Sequence, residues 1–424
     1  MGLTTEKLAI HGGTPVHEGA WFPGFHGSEE FAEEEKEAVL RVLAKKRVFR
    51  FLKNGLEESE AARLEEAYRG FVGRDFALAV SSGTSALITA LVGAEVGPGD
   101  EVIVPAYTFI ATAAAVIAAR AVPVICEVDA SLNMDPADFE RKITPYTRAV
   151  IPVHMRGVPA RMDEIMAVAR RRGLRVIEDV SQANGGRYKD RVLGGIGDLG
   201  CFSLQQYKVI TAGEGGVVVT SDENLHTRCL MAHDSAMQFW KGDPLIPTLP
   251  GENFRLSELS AALALAQFGK MGSILARTRA TKARVVGQIR GIPGLELQDV
   301  PDPAGDCGIA LIFFLPSAEL AKEFSAALKA EGIPNGTMYD NTIADRHIYR
   351  NWDYVLAKRG ATPKNCPWSC GAYKGDVEYA PDMCPRSLDY LGRAVSMGIS
   401  QGMGPEHADK IAGGIRKVAR ALLR

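Results

Sequence analysis

The sequence contains no run that reaches the roughly 18 apolar residues needed to cross a bilayer as a helix, and no polybasic stretch of the kind that attracts nucleic acid or an anionic membrane. Its 49 basic and 51 acidic residues are mixed along 424 positions and leave a formal net charge of −2. Neither nucleic acid nor an anionic membrane is therefore an expected partner. Met1 to Ile10 lacks the basic start and apolar core of a secretory leader, so a cytoplasmic location is expected. Cysteine is sparse and odd in number: Cys126, Cys201, Cys229, Cys307, Cys366, Cys370 and Cys384 are scattered through a long chain, which excludes a simple disulfide framework and fits free thiols. Cys366, Cys370 and Cys384 could ligate zinc with help from His347, but their spacing matches no common knuckle, and no metal is expected. Internal repeats and low-complexity tracts are absent too.

What is present is ordinary globular material, 46% hydrophobic and 24% charged, long enough for one large domain and a smaller one. Phe31 to Arg69 has helical apolar spacing with a break near Phe51 to Asn54, predicting two amphipathic helices. Short β-branched runs follow at Ala77 to Val80, Glu101 to Val104, Val122 to Cys126, Ala149 to Val153 and Arg175 to Glu178, separated by helix-like stretches such as Ser85 to Val92 and Met162 to Arg171. The alternation predicts an α/β fold with a largely parallel sheet covered on both faces. Gly200 to Leu204 and Gly215 to Thr220 have strand character with no helix between them, which predicts an antiparallel addition. The expected division is residues 1–270, the N-terminal helices and the large domain, and 271–424, a smaller α/β domain. Ile333 to Arg386, rich in Pro, Cys, Trp and Tyr, is too long for an idle connector and is expected to carry substrate contacts.

Ligands of α/β sheets gather at the carboxyl ends of strands, so the polar residues after each apolar run form the candidate site. Ser81-Ser82-Gly83-Thr84-Ser85 precedes a helix whose free N–H groups and dipole suit a phosphate; a plain N-cap would need only one hydroxyl. Tyr107 and Phe109 could lay a ring on a planar cofactor or simply pack. His154 is a substrate contact or a hydrogen-bonded structural histidine. Asp179 follows Val176-Ile177, where burial demands a cationic partner such as a protonated pyridine nitrogen, unless it caps the next helix. Lys208 follows a strand and precedes the flexible run Thr211 to Gly216, a setting that desolvates an amine and readies it for Schiff-base chemistry. Gly195 to Gly200 matches the dinucleotide pattern G-x-G-x-x-G, but it runs into another strand rather than opening a helix, so these glycines are expected to make turns.

The ordered set of motifs resembles the DegT/DnrJ/EryC1/StrS sugar aminotransferases, fold type I pyridoxal-phosphate enzymes. The motifs are Gly-Gly-Thr-Pro at Gly12 to Pro15, Ser-Gly-Thr-Ser-Ala-Leu at Ser82 to Leu87, Thr-Phe-x-Ala-Thr at Thr108 to Thr112, Glu-Asp-x-x-Gln-Ala at Glu178 to Ala183, Gly-Asp at Gly197, Phe-Ser at Phe202, Lys208, Gly-Glu-Gly-Gly at Gly213 to Gly216 and Gly-x-Asn-x-Arg at Gly251 to Arg255. The resemblance implies that Lys208 holds pyridoxal 5′-phosphate covalently, Asp179 pairs with its pyridine nitrogen, Gln182 lies near its ring hydroxyl and Phe109 stacks on its ring. It also implies that Ser82, Gly83, Thr84 and Ser203 bind the phosphate, joined by Asn253 from the second subunit of a homodimer with shared sites. The implied reaction has two halves: glutamate or glutamine gives up its amine, and a keto-sugar or keto-cyclitol receives it, with Lys208 as base and acid. Such chemistry belongs to amino-sugar or aminocyclitol natural-product (antibiotic) biosynthesis.

Members with histidine in place of the lysine are dehydratases, so Lys208 implies transamination. Ser203 to Gly216 looks closest to the glutamine-dependent scyllo-inosose and aminohydroxybenzoate branch. Tyr339 to Arg386 departs from the short proline-containing loop of nucleotide-sugar members. His154, Tyr339 and His347 are the candidate substrate residues, and Tyr349 and Trp352 line the acceptor pocket or pack the small lobe. The rival readings are a dehydratase or aromatising enzyme of the aminohydroxybenzoate type, and a non-catalytic regulator that binds the cofactor or a sugar. The presence of Lys208, Asp179 and Gln182 together speaks against a regulator.

Overall fold

The computed structural model describes residues 6–22, 26–51, 59–241, 248–338 and 344–423. Its central sheet comprises β1 (Phe76–Val80), β2 (Glu101–Pro105), β3 (Val122–Cys126), β4 (Thr147–Val150), β5 (Arg175–Asp179), β8 (Leu199–Ser203) and β9 (Gly216–Thr220) in the order β1-β9-β8-β5-β4-β2-β3, with a small hairpin of β6 (Arg187–Tyr188) and β7 (Arg191–Val192) beside it. β3, β2, β4, β5 and β8 pair in parallel, while β9 runs antiparallel between β8 and β1. The antiparallel addition expected after residue 200 is therefore present, with Gly200 opposite Val219 and Ser203 opposite Gly216.

Side chains alternate across this sheet with period two. Leu78, Val80, Val102, Val104 and Ile177 enter one apolar core, and Ala77, Ala79, Ile103, Val150 and Val176 enter the other. Burial on both faces is why the strands read as continuous apolar runs. β3 is an edge strand and carries Pro123, a residue tolerated in sheets at edges. The chain after residue 344 covers this edge: Tyr379 Oη donates to the Pro123 carbonyl at 2.6 Å and Ser387 Oγ accepts from Val128 N at 2.8 Å.

A second, antiparallel sheet runs β10 (Glu296–Leu297), β11 (Ala310–Phe314), β13 (Ala394–Gly398) and β12 (Gly336–Thr337), backed by the helices Ala318–Ala330 and Pro405–Leu422. Packing crosses residue 270 in both directions. Leu8 belongs to the core of this smaller lobe, whereas Ile348, Tyr349, Trp352, Val355 and Cys384 belong to the core of the large sheet. Helix Met271–Ile289 touches both lobes, Ile274 and Leu275 facing the large sheet and Val285 and Ile289 the small one. Fully buried Tyr349 and Trp352 pack in a core that joins the large sheet to Ile312, Phe314 and Ala394 of the small one, and neither lines the cavity at the carboxyl ends of the strands, which corrects the acceptor reading.

Candidate active site

At the carboxyl ends of the parallel strands, where they meet β13, lies a cavity of about 650 Å³. Ser82, Gly83 and Thr84 line one part of it, at the N-terminus of helix Gly83–Gly93. Ser82 caps the helix, its Oγ accepting from Ser85 N at 3.0 Å, while the amides of Gly83 and Thr84 have no protein acceptor among the described residues. Gly83 is there because of close approach: an added Cβ would lie 2.7 Å from Ser203 Cβ and 3.0 Å from its Oγ. Open helix N–H groups beside two serine hydroxyls and a glycine form a cradle for a small tetrahedral anion.

Asp179, at the end of β5, is 4% exposed. Its Oδ2 accepts from Thr112 Oγ1 at 2.9 Å, its Oδ1 accepts from Ser181 N at 3.0 Å, and Thr108 Oγ1 lies 2.8 Å from Thr112 Oγ1. The carboxylate is fixed and aimed, but no Lys, Arg or His pairs with it among the described residues. Lys208 lines the same cavity, and its amine forms no hydrogen bond or ion pair among the described residues. Burial pushes its pKa below the ordinary lysine value; nearby Arg156 pushes the same way, against the opposing fields of Asp179 and Glu214. A buried, uncommitted amine facing a fixed carboxylate is what a pyridine aldehyde bearing a phosphate requires, and with the cradle at Gly83 the residues present fit pyridoxal phosphate.

Gln182, Ser203 and Phe109 also line the cavity. Gln182 Oε1 accepts from Arg156 N at 3.2 Å, which leaves its amide N–H groups to face a ligand. Phe109 tilts against His347, ring centroids 5.2 Å apart. His347 reaches the cavity from the chain that covers β3, with Nδ1 2.7 Å from Asp345 Oδ1. Burial pulls the His347 pKa down, and Arg156 and Lys208 add to this against the pull of Asp345.

His154 does not reach the cavity. It is fully buried, with Nε2 3.1 Å from Glu178 Oε2 and Nδ1 accepting from Ala160 N at 3.0 Å. Both nitrogens are committed to the core, which corrects the substrate reading in favour of the structural one. Asn253 is exposed and away from this cavity, and Tyr339 lies outside the described residues. Among the described residues no group of three or more His, Cys, Asp or Glu could hold a metal, so Cys366, Cys370, Cys384 and His347 are not gathered into one ligand set. Sequence reasoning missed Arg156, two residues beyond the histidine it singled out, and His26, whose Nδ1 lies 3.2 Å from Gln401 Oε1. Arg156 closely follows the apolar run Ala149 to Val153, a signal that could have found it; His26 has no local signal, because it arrives through packing of the N-terminal chain.

Residues 30–368 match the model of the DegT/DnrJ/EryC1/StrS aminotransferase family. A UDP-N-acetyl-3-dehydro-alpha-D-glucosamine 3-aminotransferase of Acidithiobacillus ferrooxidans is 40% identical over 286 residues, 66% of this chain and 74% of that protein. An L-glutamine:2-deoxy-scyllo-inosose aminotransferase of Micromonospora echinospora is 36% identical over 288 residues, 65% of this chain and 67% of its own length. Among solved structures, 3-amino-5-hydroxybenzoic acid synthase superposes with a TM-score of 0.77 at 27% identity, covering 95% of this chain and 99% of its own.

Proposed function

We propose, for a chain that belongs to the DegT/DnrJ/EryC1/StrS aminotransferase family and is a pyridoxal-phosphate-dependent aminotransferase, that glutamine or glutamate is the amino donor and a keto-sugar or keto-cyclitol the acceptor. The observation that carries this reading is the free amine of Lys208 in one cavity with Asp179 and the Gly83 cradle. The relatives' names support the acceptor class, one being a nucleotide keto-sugar enzyme and another a scyllo-inosose enzyme.

In this reading Lys208 would hold the cofactor through Nζ, and its amine would carry a proton to and from the substrate carbon; desolvation, by lowering its pKa, keeps a share of it in the basic form that such a shuttle needs. When bound, pyridoxal phosphate supplies the electron sink for that carbon. Asp179, held by Thr112 and Ser181, offers its negative charge to the pyridine nitrogen. Ser82, Gly83, Thr84 and Ser203 take the phosphate, Gln182 the ring hydroxyl and Phe109 a ring face. His347, on the wall shared with the small lobe, is the substrate contact this reading retains.

A homodimer belongs to the same reading. Phe239 is 77% exposed and Trp240 packs on Phe49 and Phe51 beside it, an apolar surface that supports burial against a second copy. Asn253 bridges to Asp234, three residues before the helix that carries these aromatics, and in this reading it would serve the partner's phosphate.

The test is absorbance of the purified protein with pyridoxal phosphate. A visible protein-linked band, fixed by borohydride to the peptide containing Lys208 and bleached by L-glutamine or L-glutamate, is expected; Lys208→Ala should show neither. An acceptor screen with keto-cyclitols and keto-sugars, read by mass spectrometry, would follow. No borohydride label at Lys208 would overturn the aminotransferase roles, and a labelled band that no amino donor bleaches would instead favour the aromatising or dehydrating reading.

A further inference from the structure

Arg156 is the one arginine lining the cavity among the described residues, and the chain goes out of its way to put it there. It adopts a left-handed conformation, φ 54°, followed by Gly157 at φ 84°, two consecutive turns that an ordinary L-residue avoids. Gly157 pins the turn against the entry to the small lobe, since an added Cβ would meet Cys307 Cβ at 2.8 Å and Ile309 Cγ1 at 3.0 Å. The outcome is an arginine whose main chain is tied to Gln182 and whose side chain is tied to Tyr107, Nε donating to Tyr107 Oη at 3.3 Å. Tyr107 is itself fully buried and donates onward to Met338 Sδ at 3.4 Å. Strain of this kind, held by surrounding structure, is a feature of ligand clamps.

The guanidinium nevertheless forms no ion pair among the described residues, and its terminal nitrogens form no hydrogen bond there. Asp345, the acidic side chain whose field reaches it, is engaged by the ring and main-chain nitrogens of His347. Lys208, a second basic group, lines the same cavity. A fixed arginine fork facing a cavity, beside a second cation and short of a counter-ion, is complementary to a carboxylate that arrives with substrate. The phosphate cradle at Ser82 to Thr84 and Ser203 is a separate wall, built from hydroxyls and helix N–H groups, and does not need this arginine.

Resting on the aminotransferase reading above, we propose that Arg156 binds the α-carboxylate of the amino donor. An amino acid whose nitrogen takes the place of the Lys208 amine carries its carboxylate one carbon away, so one cavity wall can seat both groups. The site therefore selects α-amino acids over simple amines, and Arg156 is a specificity residue for the first half-reaction.

The test compares holoenzyme with Arg156→Gln and Arg156→Lys in single-turnover bleaching by L-glutamine, L-glutamate and 4-aminobutanamide, which is glutamine without its α-carboxylate. Equilibrium binding of glutarate, read by calorimetry, is a second readout. Wild type should prefer L-glutamine strongly to 4-aminobutanamide. Arg156→Gln should lose about 30-fold or more of that preference, the low end for removing one partner of a desolvated charged pair. It should do so by weakening the amino acids far more than the simple amine, and glutarate binding should fall in parallel. Lysine should restore part of the preference. Unchanged handling of both amino acids by Arg156→Gln would overturn the proposal and assign the guanidinium to an acceptor. An equal loss for amino acids and simple amine would overturn it too, showing a general structural role. If wild type reacts with no amino donor while Lys208 carries no cofactor, the parent reading has failed, and this inference falls with it.

Discussion

Glu178→Gln is the perturbation that tests most directly how the sequence builds this site. Glu178 sits beside Asp179 on β5 and, being its neighbour in a strand, points to the opposite face. It is fully buried, and one carboxylate answers four donors: Ile196 N and Gly197 N at 2.6 Å each on Oε1, and Gly194 N at 2.9 Å with His154 Nε2 at 3.1 Å on Oε2. Because His154 Nδ1 accepts from Ala160 N, the ring proton belongs on Nε2, facing the carboxylate. Burial pushes the Glu178 pKa up, but His154 and the glycine amides outweigh it, and the net shift is downward. Glutamine would set an NH₂ against two of these donors and remove the charge from the rest, at a cost of about 3–5 kcal/mol for breaking a buried charged network. With an unfolding entropy of about 2.1 cal/mol/K per residue, 424 residues give roughly 0.9 kcal/mol/K, so Tm should fall by about 3–6 °C. A carboxylate whose folded pKa is depressed contributes stability that is present above its unfolded pKa and is lost as pH falls through the folded value. Wild type should thus lose stability on the acid side more steeply than Glu178→Gln. Differential scanning calorimetry of the apoprotein across pH measures both. A Tm within about 1 °C of wild type, with the same acid slope, would refute the reasoning.

Gly83→Ala places a methyl 2.7 Å from Ser203 Cβ; overpacking of about 1–3 kcal/mol should weaken pyridoxal phosphate binding by about tenfold or more, read by titrating the apoprotein, and unchanged affinity would show that the cradle is not there. The Lys208 amine, held below the ordinary lysine pKa by burial and by Arg156, should react with trinitrobenzenesulfonate in the apoprotein at lower pH than surface lysines. Its midpoint should rise in Arg156→Gln, which removes a repelling cation, and fall in Asp179→Asn, which removes an attracting anion. Peptide mapping of the label checks both directions, and a midpoint that ignores both changes would refute this account of the charge balance.

The strands of the large sheet were readable because both faces are buried: Val122 to Cys126 is found as expected, and the other runs move by a residue or a few at their ends. So was the rule that chemistry gathers at their carboxyl ends, which brought Gly83, Asp179 and Lys208 into one list. Which member of each polar cluster turns toward the ligand was not readable. In His154-Met155-Arg156-Gly157 the histidine is the more reactive type, yet it is the left-handed backbone at Arg156 that swings a side chain into the cavity, and nothing in composition or period announces a positive φ at arginine. The segment expected to bring substrate contacts brings His347 to the cavity wall, while its large aromatics Tyr349 and Trp352 are buried in the core.

The division between readable and unreadable follows the two walls of the cavity. The wall with Ser82 to Thr84, Asp179, Ser203 and Lys208 hangs on neighbouring strands of one sheet, so each residue's position follows from a strand end and the order of the strands. The facing wall takes Ile309, Ser396 and Gly398 from the small lobe, His26 from the N-terminal chain and His347 from the covering segment. Each arrives by docking of surfaces far apart in sequence, and none lies in a motif of its own. Arg156 stands at the seam, built on a large-sheet strand end but pinned through Gly157 against Cys307 and Ile309. A shift of the small lobe would thus leave the wall with Asp179 and Lys208 intact while moving the arginine and the small-lobe lining together, so changes that loosen the Gly157 contact should alter substrate choice before they alter cofactor binding.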